Sequence, residues 1–430
     1  MNMPVESRWR LAHADTDGFG RFFREGAWMT LATIVGGASF ALVHRIAPHL
    51  PQGDYSVFTT LIQIANSVSL AAAGGQAVLA KITAEALNEP QQRNAASAAR
   101  QMLLLALALW AALVAVFFGA GDSLRTWIGA KSAWTWVWLT GTALALWLQV
   151  TLLGFLQGLQ DFGWYGGVSI LGGFGRLVLV WLLVVTCGFG VTGSMAGVFL
   201  GAALCALVAA WRAWPALTLS GGHYPFGQLA TRALLLTCGV GNLALLLSLD
   251  QLMSRRYLNP NEMDLYAAAG TVGRVVVLVT VPLTTVMFPK VARSIAELNQ
   301  PRAFWHALGL VSLVGIGAAL CCWLFPQLPI RMLQGNKFLE AVPLVPLFAW
   351  AVLPLTLTNI LVNNLLARGR FGIIVPLVLI AAGYAYALSV YHTSAREIIR
   401  MLFLFAGSAC VVSALFTWMD RTRHPLAEAG

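Results

Sequence analysis

The side chains best placed to do chemistry in this chain are charged groups set inside apolar runs. Arg176 lies in Gly172-Gly173-Phe174-Gly175-Arg176-Leu177-Val178, near the middle of a run long enough to cross a bilayer. Arg274 lies in Gly270-Thr271-Val272-Gly273-Arg274-Val275, part of the way down another run, and Asp250 lies toward the end of the run before that. An Arg or Asp at the centre of a membrane helix costs about 2.5 to 3.5 kcal/mol on insertion scales, so each needs a compensating partner or a wet surrounding. A guanidinium offers a planar fork of donors that suits phosphate. Arg176 and Arg274 are therefore candidates for receiving an anionic head group. The competing reading is an internal ion pair, and Asp250 has Arg255, Arg256 and Arg274 within reach in sequence. His44 and Arg45 fall near the end of the first apolar run and read as interfacial anchors. Arg45 and Asp250 complete the set of four candidate substrate-contacting residues.

Other chemistry finds little footing. The chain has no nucleophile elbow, no phosphate-cradling loop with a Lys, no metal-spaced His cluster and no paired carboxylates. Neither an enzyme nor a cofactor or metal is expected. The six cysteines (Cys187, Cys205, Cys238, Cys321, Cys322 and Cys410) show no ligand or redox spacing and read as small apolar fillers.

The elements that position these residues follow from composition. Of 430 residues, 58% are apolar and 10% are charged, against a charged share of about 25% in soluble proteins. So few charges cannot cover a water-facing surface, and the length is better read in helices than in soluble domains. A hydrocarbon core about 30 Å thick requires about 20 apolar residues at helical rise. Runs of that kind predict helices at roughly 26–47, 56–80, 98–119, 134–157, 164–186 and 191–211, then 232–253, 265–288, 303–325, 341–366, 372–390 and 398–418. The expected fold is an all-α membrane protein of about twelve transmembrane helices. The formal charge of +10 is explained by Lys and Arg collecting in cytoplasmic loops, and no basic run suggests nucleic acid. With both termini inside, inner segments hold sixteen Lys and Arg and outer segments nine, which favours that orientation. No cleavable leader is expected, because residues 1–24 carry charge without an apolar core.

An internal repeat is visible. Lys81 recurs as Lys290 and Phe162-Gly163 as Phe371-Gly372, both at a shift of 209. Leu124-Arg125-Thr126-Trp127-Ile128-Gly129 resembles Ile330-Arg331-Met332-Leu333-Gln334-Gly335 at a shift of 206. Three matches in one order predict a duplicated six-helix unit. The expected organisation is a lead-in at 1–24, a six-helix lobe at 25–212, a linker at 213–231 rich in turn residues, a second lobe at 232–420 and a tail at 421–430. Arg176 and Arg274 are not repeated, since a shift of 209 carries Arg176 to Ala385 and Arg274 back to Ala65. Gly154 with Gly158, and Gly197 with Gly201, have the spacing that lets helices approach closely. Trp134, Trp136 and Trp138 read as interfacial anchors.

The stretch Asp250-Gln251-Leu252-Met253, Leu258-Asn259-Pro260-Asn261-Glu262, Leu265-Tyr266-Ala267-Ala268-Ala269 and Val286-Met287-Phe288-Pro289-Lys290 resembles the seventh and eighth helices of bacterial polysaccharide-biosynthesis flippases. Those belong to the multidrug/oligosaccharidyl-lipid/polysaccharide exporter superfamily. Asp54-Tyr55-Ser56 and Gly158-Leu159-Gln160-Asp161-Phe162-Gly163 resemble the same family. The resemblance implies two six-helix lobes in the bacterial cytoplasmic membrane, with alternating access carrying a polyprenyl-pyrophosphate-linked oligosaccharide to the outer leaflet. It also implies a monomer among membrane lipids, with other polysaccharide-assembly proteins as candidate neighbours. Two other readings stand beside it: a cation-coupled multidrug or small-molecule antiporter of the same fold, and a membrane polysaccharide polymerase or ligase.

Overall fold

The structure is a computed structural model that describes residues 18–69, 72–119, 126–129, 132–296 and 302–423. Every regular element among them is helical. The α-helices are α1 Gly18–Ala41, α2 Asp54–Ser69, α3 Ala73–Ala84, α4 Glu89–Gly119, α5 Trp134–Gly158, α6 Phe162–Trp181 and α7 Gly190–Leu217. They continue as α8 Phe226–Tyr257, α9 Pro260–Ala296, α10 Arg302–Leu324, α11 Gln327–Gln334, α12 Val345–Ala367, α13 Ile374–Val390 and α14 Ala395–Arg423. Among the described residues, ten helical stretches are long and apolar enough to cross a bilayer, and α2 with α3 supplies an eleventh. The eighth expected span is α9, whose 37 residues reach about 55 Å at helical rise. Each of the twelve expected helices thus has a counterpart.

Three departures from simple spans matter for function. The first span changes from α-helix to a 3₁₀ segment at Leu42–His49. The second is not one helix but two, α2 and α3. The fifth ends in a π turn at Leu182–Thr186. Sequence periodicity marks none of these changes of geometry, because run length and composition are scored alike for α, 3₁₀ and π turns.

Contacts gather the described residues into two units. One holds those up to Val43 together with Val68–Thr237; the other holds His44–Ser67 together with those from Cys238 onward. His44–Ser67 thus leaves the chain half it belongs to in sequence. The expected linker is also shorter than 213–231, since α7 runs to Leu217 and α8 starts at Phe226.

In the first unit, glycines set the helix spacing. A Cβ at Gly154 would meet Gln76 Cα at 2.8 Å, and one at Gly197 would meet Val180 N at 2.6 Å. The two small-residue pairs are therefore points of backbone contact, α5 on α3 and α7 on α6. Of the three tryptophans, Trp134 is exposed, whereas Trp136 is buried edge-on against Phe117 at 5.2 Å. Aromatic packing, and not interfacial anchoring, accounts for Trp136.

The two units carry one corner in common. In the first, Arg212 Nη2 of α7 lies 2.5 Å from Asp161 Oδ2 at the start of α6. In the second, Arg370 Nε, just before the start of α13, lies 2.5 Å from Asp420 Oδ1 of α14, and Arg368 approaches the same carboxylate at 3.5 Å. Asp161 and Arg370 are 209 residues apart, and Arg212 and Asp420 are 208 apart. The repeat keeps the ion pair and exchanges its polarity. Asp161→Arg or Arg212→Asp alone is expected to lower stability by about 1 kcal/mol, and the double exchange to recover it, read as the apparent Tm of purified protein; a double variant as unstable as the singles would deny the pair its role.

Candidate functional site

Arg176 sits on α6 in the first unit and is nine-tenths buried. Its Nη2 donates to Gln149 Oε1 of α5 at 2.6 Å, and its guanidinium lies 5.3 Å from the ring centroid of Phe40 on α1. The Nε is buried with no hydrogen-bond partner. A Cβ at Gly201 of α7 would stand 2.6 Å from Arg176 Cγ and 2.7 Å from its backbone nitrogen. Four helices thus converge on this side chain, and the missing side chain at Gly201 makes room for its stem. Among the described residues no carboxylate pairs with Arg176. Its partners are an amide and an aromatic face, both neutral, so the positive charge stays available to a ligand.

Arg274 is placed differently. Its Nη2 lies 2.8 Å from Asp250 Oδ1 and 2.7 Å from Oδ2, while its Nε donates to the Leu247 carbonyl at 2.8 Å. Asp250 is fully buried and also accepts from the Tyr266 hydroxyl at 2.7 Å. The internal ion pair weighed from sequence is therefore present, and it neutralises both groups within the second unit. Arg274 keeps one unpartnered nitrogen, Nη1, but its charge is already matched.

Arg45 also lies in the second unit. Its Nη1 donates to the carbonyl of Arg331 and, at 3.4 Å, to that of Met332. These carbonyls belong to the last turn of α11, where a cation is favoured by the helix dipole. His44, expected at an interface, is instead buried, with Nδ1 3.0 Å from the Tyr55 hydroxyl. The structure brings Arg274 and Asp250 together, and it places Arg176 in the other unit.

Sequence reasoning missed Gln149 and Phe40 because neutral residues in apolar runs carry no signal until a charge is seen beside them. It also passed over Asp264, which is buried in α9. Asp264 lies between Glu262 and Leu265, inside the segment that carries the family resemblance. Among the described residues no group of three His, Cys, Asp or Glu could hold a metal ion.

No protein-family profile matches the sequence, and no curated protein matches it. Solved structures do match by fold. An inward-facing multidrug resistance MATE family transporter of the MOP superfamily superposes with a TM-score of 0.74 at 16% identity, covering 100% of this chain and 97% of that one. An outward-facing MATE family transporter gives 0.70 at 15% identity, covering 98% and 99%. A MOP superfamily transporter from Pyrococcus furiosus gives 0.66 at 15% identity, covering 98% and 99%; its binding pocket is described as reversed in polarity, suggesting a different function. The chain has the twelve-helix, two-lobe fold of these transporters. At such identity the likeness extends to the fold alone.

Arg274→Met is expected to destabilise the protein by about 3 to 5 kcal/mol, because it leaves Asp250 charged and buried. Adding Asp250→Asn should recover most of that loss, as measured by thermal unfolding in detergent.

Proposed function

We propose that this chain is a multi-pass membrane transporter that works by alternating access and receives an anionic part of its substrate at Arg176. The observation that carries this reading is a nine-tenths-buried guanidinium whose contacts are neutral. A central membrane charge is costly, and the second unit balances its own with Asp250. Leaving Arg176 unbalanced is sensible only if a substrate completes it. The transporter fold and the want of catalytic motifs support transport over chemistry.

The substrate class in best accord with this charge is a lipid-linked oligosaccharide. Its pyrophosphate offers acceptor oxygens to a guanidinium fork, and its tail can remain in the hydrocarbon while the head group crosses. The resemblance of the seventh and eighth helices to polysaccharide flippases supports the same reading, with movement from the inner to the outer leaflet of a bacterial cytoplasmic membrane and both termini cytoplasmic. Such a protein would act as a monomer among lipids, next to other polysaccharide-assembly proteins.

A second reading is favoured by the fold comparisons, whose named relatives are multidrug resistance transporters. It makes the chain a small-molecule antiporter. Arg176 would repel a cationic drug, so this version requires neutral or anionic cargo. The reversed pocket polarity described for the Pyrococcus furiosus transporter, and the different function it suggests there, supports considering such a variant.

Purified protein in proteoliposomes separates the two. The flippase reading expects movement of a fluorescent polyprenyl-pyrophosphate sugar, reduced about 10- to 100-fold in Arg176→Gln, the range expected for losing a charged hydrogen bond of about 1.5 to 3 kcal/mol, and partly kept in Arg176→Lys. Ion-gradient-driven drug efflux without lipid movement would select the antiporter. Wild-type rates in a folded Arg176→Gln protein would remove Arg176 from either mechanism.

A further inference from the structure

Beside Arg176 stands a second polar group whose orientation is fixed by chemistry alone. A guanidinium has donors and no acceptor, so a side-chain amide can face it only with its oxygen. Gln149 Oε1 accepts from Arg176 Nη2 at 2.6 Å, and the Nε2 of the same amide, with its two N–H donors, is therefore turned away from the guanidinium. Gln149 is itself nine-tenths buried on α5, inside the apolar run Leu146-Trp147-Leu148-Gln149-Val150. Burying an amide is costly unless an acceptor meets its donors.

Small residues clear the space on both sides of this pair. A long side chain leans toward the N-terminus of its helix, so the Arg176 guanidinium reaches back from the level of Gly201 toward that of Gly172, one turn away. A Cβ at Gly172 would stand 3.4 Å from Gln149 Nε2 and 3.1 Å from Cys205 Sγ. The side chain that Gly172 lacks would thus occupy the space next to the amide nitrogen. Cys205 is turned elsewhere, its thiol donating to the Val168 carbonyl at 3.1 Å. What the pair offers is donors: Arg176 Nε, which is buried without a partner, and Gln149 Nε2.

An amide in place of an acid separates this site from its counterpart in the second unit. There Asp250 takes Arg274 at 2.8 and 2.7 Å through its two oxygens and cancels its charge. Glutamate has nearly the size of glutamine, and at position 149 it would make another closed pair of that kind. Glutamine fixes the aim of the guanidinium and leaves its charge intact.

We propose that Gln149 is the charge-selecting residue of the Arg176 site: Oε1 aims the guanidinium, and Nε2 gives a neutral donor to the same anionic group. The inference rests on the reading of Arg176 as the receiver of an anion. It adds a second substrate contact and narrows the ligand to one with neighbouring acceptor oxygens, as in a pyrophosphate.

Calorimetric titration of the purified protein with inorganic pyrophosphate tests this, because the two ways Gln149 could act rank its variants in opposite order. Gln149→Leu removes the neutral donor and keeps the charge of Arg176; it is expected to weaken binding about 3- to 10-fold, the range for one neutral hydrogen bond. Gln149→Glu cancels the charge as well and is expected to weaken binding about 10- to 100-fold, with an unfolding temperature at or above that of the parent. A residue that only positioned Arg176 would give the reverse ranking, since a carboxylate still accepts from the guanidinium and an isobutyl group does not. Gly172→Ala sets a methyl beside Nε2 without changing any charge. It should weaken binding as Gln149→Leu does, whereas a positioning role leaves it at the affinity of the parent, so it serves if Gln149→Glu does not fold. Weaker binding in Gln149→Leu than in Gln149→Glu, or folded variants that all stay within twofold of the parent while Arg176→Gln loses binding, would overturn the role of Gln149 alone. A parent that binds no pyrophosphate, or an Arg176→Gln protein that binds it as the parent does, overturns the anionic reading of Arg176 and this inference with it.

Discussion

The cost of charge in hydrocarbon is the constraint on which this molecule is arranged. Wherever a charged side chain is drawn into the helices, something answers it. Asp250 answers Arg274 with two contacts under 3 Å. The N-terminus of α2 answers Asp264 with two backbone N–H groups. Arg176 is answered only by an amide and a ring, and the proposed substrate contact rests on that difference. The same accounting explains why glycine is dense around it: the stem of a long side chain can be housed between packed helices only where a neighbour gives up its own.

Much of this was legible from residues alone. Apolar run length located twelve helices because a bilayer fixes how many residues a crossing needs. The spacing of Gly154 with Gly158 and of Gly197 with Gly201 pointed to close helix contacts because 3.6-residue periodicity puts such residues on one face. The burial of Arg176 followed from its depth in an apolar run. What could not be read was which of several available partners Asp250 would take, since Arg255, Arg256 and Arg274 are equivalent at the level of sequence distance. The same holds for His44–Ser67, whose partners lie about 190 to 290 residues away. Local patterning sets the period of an element and says nothing of which distant surface covers it. His44 looked interfacial for the same reason: its partner Tyr55 becomes a neighbour only when the 3₁₀ segment folds back toward α2.

The fold and the site answer different questions. A twelve-helix architecture shared with transporters at 15 to 16% identity describes the fold and leaves function to the side chains. In the proposed reading, cargo is decided by a few side chains. Here the weight falls on one guanidinium, because the second candidate is already satisfied from within.

The corner shared by the two units has a consequence for how the chain assembles. In a duplicated chain, two repeated halves offer a second pairing, the fifth helix of one copy with the sixth of the other. With Asp161 matched to Arg212 and Arg370 matched to Asp420, a crossed assembly would set aspartate against aspartate and arginine against arginine. Opposite polarity thus works as a pair of differently cut keys: it favours the pairing of each sixth helix with the fifth of its own copy over the crossed one.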